Sequence, residues 1–161
     1  MRERKIDFPE YLEKLCIEHK WIRHSEHECH FSNLISDFDN KLQRVMNYPC
    51  VGIDTDGFYV DGPNELETHQ YNLYFLQHVR DHGDINEKLH AFGLTYQILE
   101  DFIAKFKRDK MAGLHPVQFF DGNGMEAARI EFADNALYGW VLSIKLPQRI
   151  SYTNCNNNFL S

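Results

Sequence analysis

INEKLHAFGLTYQILEDFIAKFKRDK, residues 85–110, is the stretch of sequence that decides the fold. Its apolar residues recur at alternating intervals of four and three, which predicts a helix of about 26 residues with one apolar face. Asp84 can cap the start of this helix, Glu87 completes a capping box, and Gly113 follows its end. The apolar positions are Ile85, Leu89, Phe92, Tyr96, Leu99, Ile103 and Phe106.

Segments on both sides of this helix have the pattern of β-strands, with turn residues between them. One of them precedes the helix and carries apolar residues on both faces, including Tyr74 and Leu76, which predicts a central strand that is covered on both sides. Asp54, Asp56 and Gly57 predict a tight turn, and an exposed loop is predicted over residues 61–70. The predicted strands are residues 50–53, 58–60, 71–79, 115–120, 128–132 and 140–146.

Two helices are predicted in the N-terminal part of the chain. Asp7 can cap a first helix that ends near His19. A weaker cap signal at Ser36 accompanies helical spacing over residues 35–46, which predicts a second helix of about three turns.

The predicted order of elements is α–α–β–β–α–β–β. This order indicates an α+β fold in one domain, residues 1–147, with a mostly antiparallel sheet packed against the long helix. The remaining residues, 148–161, are polar and rich in asparagine, which is typical of a C-terminal arm.

Composition narrows the class of protein. The chain has 161 residues and a net charge of −7, and it carries no basic stripe of the kind that binds nucleic-acid backbones non-specifically. The sequence contains no run of about 18 apolar residues, so no membrane span is predicted. The four cysteines are scattered and form no CxxC pair, so a zinc ribbon is excluded and free thiols are expected.

RHSEHECHF, residues 23–31, is the candidate metal site, because His24, His27 and His30 are potential ligands of zinc or copper. Their three-residue spacing brings them together on one side of neither a strand nor a helix. On a strand the middle histidine faces away from the other two, and on a helix the outer two lie about 120° apart. We therefore predict no metal and no cofactor, and interpret the stretch as a polar junction between two helices.

Other catalytic or binding motifs are weak. Asp54, Asp56 and Gly57 do not match the frame of a calcium-binding loop. A cluster of histidines and aspartates over residues 78–84 is explained by a turn and a helix cap. The sequence contains neither a G-x-S-x-G nucleophile elbow nor a glycine-rich phosphate loop, so no catalytic residue is predicted.

Three segments of the chain resemble a known family: YPCVGID, YNLYFLQHVRDHGDINEKLHAFGLTYQILEDFIAKFKRDK and ARIEFADNALYGWVLSIKLPQ. They are similar to the tail-completion, tail-terminator and head–tail neck proteins of tailed bacteriophages, in particular to those of phages and prophages of Bacteroidetes-type bacteria. The resemblance covers residues 8–147. Because it is carried by the order of elements, it is an analogy of fold.

This resemblance implies a structural virion protein with no enzymatic activity. Such a subunit forms a ring, a hexamer or a dodecamer, between the portal or connector and the tail tube. It is assembled in the cytoplasm of the bacterial host, meets no membrane, and contacts DNA only as DNA passes through the lumen. Tyr59, Tyr74 and Trp140 are the candidate interface residues.

Two functions of other classes remain alternatives. One is a histidine-dependent metal-binding enzyme centred on residues 24–30, which metal analysis of the purified protein would test. The other is a small monomeric protein-binding module, similar to an immunity protein, which a mass measurement in solution would test.

Overall fold

A five-stranded mixed sheet with two helices packed on one face forms the body of the protein. The structure is a computed structural model that describes residues 7–33, 46–61 and 66–149. Within these ranges it confirms the predicted α+β class. The elements are α1 (Phe8–Glu18), β1 (Cys29–Ser32), β2 (Met46–Asp61), β3 (Leu66–His78), α2 (Ile85–Met111), β4 (Glu126–Phe132) and β5 (Leu137–Arg149).

The strand order across the sheet is β1-β2-β3-β5-β4. Only β1 and β2 run parallel, and the other three neighbouring pairs are antiparallel, so the sheet is mostly antiparallel as predicted. β3 is the central strand. It pairs with β5 along its whole length, from Leu66 opposite Arg149 to His78 opposite Leu137. On its other side it pairs with β2 from Asp61 to Cys50.

Helix α2 begins where the sequence predicts, because Asp84 caps its first turn. The Asp84 carboxylate accepts hydrogen bonds from the backbone N–H groups of Asn86 and Glu87, at 2.9 and 3.4 Å. The Glu87 carboxylate in turn accepts from the N–H groups of Arg80 and Asp81, at 2.7 and 3.2 Å. The Asp84 bonds satisfy backbone donors at the start of the helix, and the Glu87 bonds fix the path from β3 into it. The predicted capping box does not form, because the Asp84 N–H donates to the Asp81 carbonyl at 3.1 Å.

The buried face of α2 departs from the predicted apolar stripe in the first half of the helix. Ile85, Leu89 and Tyr96 are 67%, 51% and 43% exposed, so the prediction that they face the core is wrong. At about 100° per residue, the buried face of α2 centres on Ala91, Thr95, Ile98 and Phe102, and Leu89 and Tyr96 lie beyond the border of that face. The side chains that α2 buries are Ala91, Phe92, Thr95, Ile98, Leu99, Phe102, Phe106 and Asp109.

Aromatic rings join the two helices to the sheet. The Phe8 ring, at the start of α1, lies with its centroid 4.7 Å from that of Tyr71 on β3 and 5.9 Å from that of Phe106 on α2. Phe102 on α2 meets Phe75 on β3 edge to face at 5.3 Å. Full burial of each such side chain contributes about 2 kcal/mol, so these contacts are what hold α1 in place.

The opposite face of the sheet carries a smaller apolar cluster, formed by Met46, Cys50, Leu76 and Leu137. The apolar side chains of β3 therefore lie on both of its faces, as the prediction of a central strand requires.

Strand β1 was not predicted, because four residues are too short to show a period. It also contains His30 and Ser32, which are polar but buried. β2 is much longer than predicted: it starts at Met46, inside the segment assigned to the second helix. Residues 34–45, which hold the rest of that predicted helix, lie outside the described residues.

Three further local predictions are wrong. The turn predicted at Asp54–Gly57 is a bulge within β2, where Gly57 has a φ of 117°, and residues 66–70 of the predicted loop belong to β3. Residues 115–120 form turns and no strand. Pro116 has no N–H to donate there, and the Phe120 N–H bonds locally to the Val117 carbonyl. Of the predicted C-terminal arm, the first two residues belong to β5, and residues 150–161 lie outside the described part of the chain.

Gly139 on β5 is the position where the sheet tolerates least change. A Cβ atom placed there would lie 1.8 Å from the backbone oxygen of Phe75 on β3, so a side chain has to push the two central strands apart. We expect Gly139→Ala to destabilise the fold by about 3 kcal/mol or more, measured as the shift in free energy of unfolding in urea.

The matched control is Gly93→Ala on the exposed side of α2, where a new Cβ meets nothing within 4 Å. Alanine has the higher helix propensity, so this variant should gain up to about 1 kcal/mol. Equal effects of the two substitutions would contradict the close approach of β3 and β5.

Candidate functional site

Exposed side chains in the first half of α2 and the neighbouring strands β4 and β5 enclose a groove on the helix-covered side of the sheet. It consists of two adjoining depressions of about 380 and 420 Å³ that share Leu89, Phe92 and Arg129. We call it the α2–β4 groove and define it by Ile85, Leu89, Phe92, Tyr96, Arg129 and Trp140. Large apolar side chains grouped at the surface in this way are typical of interaction sites.

The floor of the α2–β4 groove is rigid. Trp140 stands on β5, and its indole N–H donates to the backbone carbonyl of Phe92 on α2 at 3.0 Å. The Tyr96 ring lies against the Trp140 ring, with the centroids 5.3 Å apart. A surface whose aromatic rings are already fixed loses little conformational entropy when a partner binds.

Two cations lie over aromatic rings in the same groove. The Arg129 guanidinium is 4.7 Å from the Phe92 ring centroid and 5.6 Å from that of Trp140. The Lys88 ammonium lies 5.2 Å from the centroid of Tyr138. Tryptophan, tyrosine and arginine are the residues most enriched at the energetic centres of protein interfaces. The groove therefore has the composition of a protein-binding surface.

The structure does not place the three predicted interface residues on one surface. Trp140 lies in the α2–β4 groove, whereas Tyr74 lies on the opposite face of the sheet, half-buried, with its ring 6.3 Å from that of Phe132. Tyr59 belongs to β2, where it pairs with Thr68, but its side chain lies outside the described part. Trp140 and Tyr74 therefore cannot act in a single contact with one small partner surface.

The three candidate metal ligands do not converge. The imidazole of His24 accepts a hydrogen bond at Nδ1 from the His30 backbone N–H, at 3.0 Å, and its Nε2 lies 3.3 Å from the Glu13 carboxylate. His30 is buried, and its Nδ1 lies 2.7 Å from the Pro49 carbonyl, whereas His27 is exposed. In the described ranges no three His, Cys, Asp or Glu side chains are grouped as a metal ion requires.

His24 and His30 act as structural connections. His24 ties α1, through Glu13, to the start of β1, and His30 ties β1 to β2 through the Pro49 carbonyl. The stretch predicted as a junction between two helices is thus a junction between a helix and an edge strand. The sequence did not reveal this, because β1 itself was not recognised.

A second cluster of polar side chains lies between α1 and α2. Asp109 is 4% exposed, and its two carboxylate oxygens accept from the Tyr11 hydroxyl at 2.7 Å and the Lys105 ammonium at 2.9 Å. Burial alone would raise the pKa of Asp109, but these two hydrogen bonds and the positive charges of Lys105 and Arg108 together outweigh burial and hold the pKa below its usual range. Burial, together with the bond to Asp109, raises the pKa of the Tyr11 hydroxyl well above its ordinary range.

These groups are placed to brace the helices. A proton-transfer catalyst must meet a substrate, and Asp109 is buried, with each carboxylate oxygen already accepting a hydrogen bond. His19, just after α1, accepts a hydrogen bond at Nδ1 from the Trp21 backbone N–H, while its Nε2 lies 3.0 Å from the Asp101 carboxylate on α2. Each of these side chains links one element to the next.

The polar side chains between β3 and α2 also make structural hydrogen bonds. The Asp81 carboxylate accepts from the Gly83 N–H at 2.8 Å, and Asp84 caps α2. His82 Nδ1 lies 3.2 Å from the hydroxyl of Tyr138. The interpretation of residues 78–84 as a turn and a helix cap thus agrees with these contacts.

The sequence did not reveal that Arg129, Leu89 and Tyr96 line one groove. Leu89 and Tyr96 were assigned to the core by the apolar stripe, and Arg129 was interpreted as the polar member of an alternating strand. A second apolar row at Ala91, Ile98 and Phe102 was the signal in the sequence that could have placed the buried face away from Leu89 and Tyr96.

Asp109→Asn should destabilise the fold by about 1–3 kcal/mol at pH 7, because it weakens two buried hydrogen bonds. A carboxylate whose pKa is depressed by folding stabilises the protein above its unfolded pKa, and this stabilisation disappears as the pH falls. The deficit of the variant, measured by urea unfolding, should therefore shrink below about pH 4. Tyr11→Phe keeps the charge and should cost less, and a deficit that does not change with pH would count against the brace.

His24→Ala should cost about 1–2 kcal/mol, since it removes the link from α1 to β1. His27→Ala, at an exposed position in the same stretch, should change stability by less than about 0.5 kcal/mol. Thermal unfolding followed by circular dichroism measures both, and metal analysis should give the same baseline for each variant. A bound ion that is lost with His27 would reinstate the metal site.

Comparison of the chain with protein-family models, with curated proteins and with solved structures finds no match. No helix in the described residues is long and apolar enough to span a membrane. The inference of function therefore depends on the α2–β4 groove and on the sequence resemblance given above.

Proposed function

We propose that the chain is a structural subunit that assembles with copies of itself through a contact that includes the α2–β4 groove. The observation that carries this proposal is the exposure of Ile85, Leu89 and Tyr96 beside the fixed rings of Phe92 and Trp140. Burying these side chains against a partner would remove apolar surface from water, which is the main driving force of protein association.

In this proposal the subunit forms a six- or twelve-fold ring in the neck or at the tail end of a tailed bacteriophage. The ring joins the portal or connector to the tail tube, and it is assembled in the host cytoplasm before it becomes part of the virion. The support for this setting is the sequence resemblance over residues 8–147.

The proposed subunit performs no chemical step. Support comes from the polar clusters, in which Asp109, His19 and His24 each hold one element against another. The net charge of −7 is compatible with a ring whose acidic lumen lets DNA pass without binding it. Tyr74, on the opposite face of the sheet from the groove, is available in this proposal for a second contact with a neighbouring phage protein.

Leu89→Asp and Tyr96→Asp should each weaken self-association at least about 30-fold, because each places a carboxylate in an apolar contact. Light scattering after size-exclusion chromatography and native mass spectrometry give the mass of the assembly. Gln97→Asp introduces the same charge at an exposed position of the same helix and should assemble as the wild type does.

A wild-type chain that is monomeric at about 100 μM, a concentration that populates even weak complexes, would overturn the proposed self-assembly. That outcome would favour the monomeric protein-binding module, which would use the same groove for an unrelated protein.

A further inference from the structure

The residues of the α2–β4 groove favour a partner of a particular charge and polarity. Its apolar floor is bordered by Lys88 and Arg129, against a single lining carboxylate, Glu131. A partner that covers this floor also brings its own charges close to the two cations, in a region from which water is partly removed. An acidic segment with apolar side chains therefore fits, whereas a basic one is repelled.

Such a segment exists in the chain itself. Residues 54–67, DTDGFYVDGPNELE, contain five acidic residues and neither lysine nor arginine. Phe58, Tyr59 and Val60 provide three consecutive apolar residues within it. The part of this segment that the structure describes is the paired end of β2 and β3, up to Asp61 and from Leu66, and we call it the acidic ribbon end.

The acidic ribbon end cannot reach the groove of its own chain. Trp140 in the groove pairs with Phe75 on β3, and Leu66 lies nine residues earlier on the same strand. At about 3.3 Å per residue these positions are roughly 30 Å apart. β3 is held by β2 on one side and β5 on the other, so it cannot fold back on itself.

The geometry points to a contact between two copies, and we infer that the acidic ribbon end of one copy docks in the α2–β4 groove of the next. The acidic composition of this segment complements Lys88 and Arg129, and its apolar composition complements Leu89 and Tyr96. The inference rests on the self-assembly proposed above and names the partner surface. Because the two surfaces differ and lie at opposite ends of the sheet, the contact is head to tail, the type that closes into a ring or continues as a filament.

Charge reversal on both surfaces tests this pairing. The groove variant carries Lys88→Glu with Arg129→Glu, and the ribbon variant carries Asp54→Lys, Asp56→Lys and Asp61→Lys. Each variant alone should associate at least about tenfold more weakly than the wild type, because both of its surfaces then have the same sign. An equimolar mixture should regain wild-type assembly in alternating order, since each reversed surface meets its opposite.

Two controls accompany the mixture. Exchanging the charges of the exposed α1 pair, with Lys14→Glu and Glu18→Lys, should leave assembly unchanged. Raising sodium chloride from about 0.05 M to about 0.5 M should weaken wild-type association, because salt screens the charges that the contact brings together. If the groove variant fails to fold, as judged by circular dichroism, Lys88→Glu alone replaces it.

The outcomes separate the two proposals. A ribbon variant that assembles as the wild type does would reject the head-to-tail pairing. It would not contradict the proposal of self-assembly through the groove. Failure of two folded variants to restore assembly on mixing would also reject the pairing. A wild-type chain that does not associate at all would instead reject the proposed function.

Discussion

The pairing of β3 with a strand on each side is the constraint on which the rest of the structure depends. β2 and β5 hydrogen-bond to it along nearly its whole length, and at Gly139 the backbone of β5 comes as close to β3 as a glycine allows. The face of this three-stranded unit that carries Phe75 receives both helices. Because the strands cannot shift, the two ends of β3 stay far apart, which gives the molecule two distinct ends.

The helices are attached to this unit in different ways. α2 follows β3 after a short turn that the Asp84 and Glu87 carboxylates hold by hydrogen bonds to backbone N–H groups. The aromatic residues of α2 reach into the core. α1 is held by Phe8, by the bond from Tyr11 to Asp109, and by histidine links to its neighbours. α1 therefore depends on side chains that α2 and the edge strand supply, and we expect its amides to exchange with solvent before those of β3.

The sequence predicted the elements that have a long, regular pattern. α2 and its Asp84 cap, the central strand and the final antiparallel pair were recognisable because their period or their caps are local. β1 was not recognisable, since a four-residue strand with buried His30 is defined by what it pairs with. The groove was hidden for the same reason. Leu89 and Tyr96 continue the apolar pattern of the core, and only the position of the sheet decides which turns of α2 it covers.

The two halves of α2 have a consequence for how this protein can vary. Residues of the second half, such as Phe102 and Phe106, determine whether the chain folds, while Leu89 and Tyr96 in the first half touch little of the core. Substitutions at these exposed positions can therefore accumulate with small cost to stability. A lineage of such chains could exchange binding partners by changing a few surface residues while the scaffold beneath them stays the same.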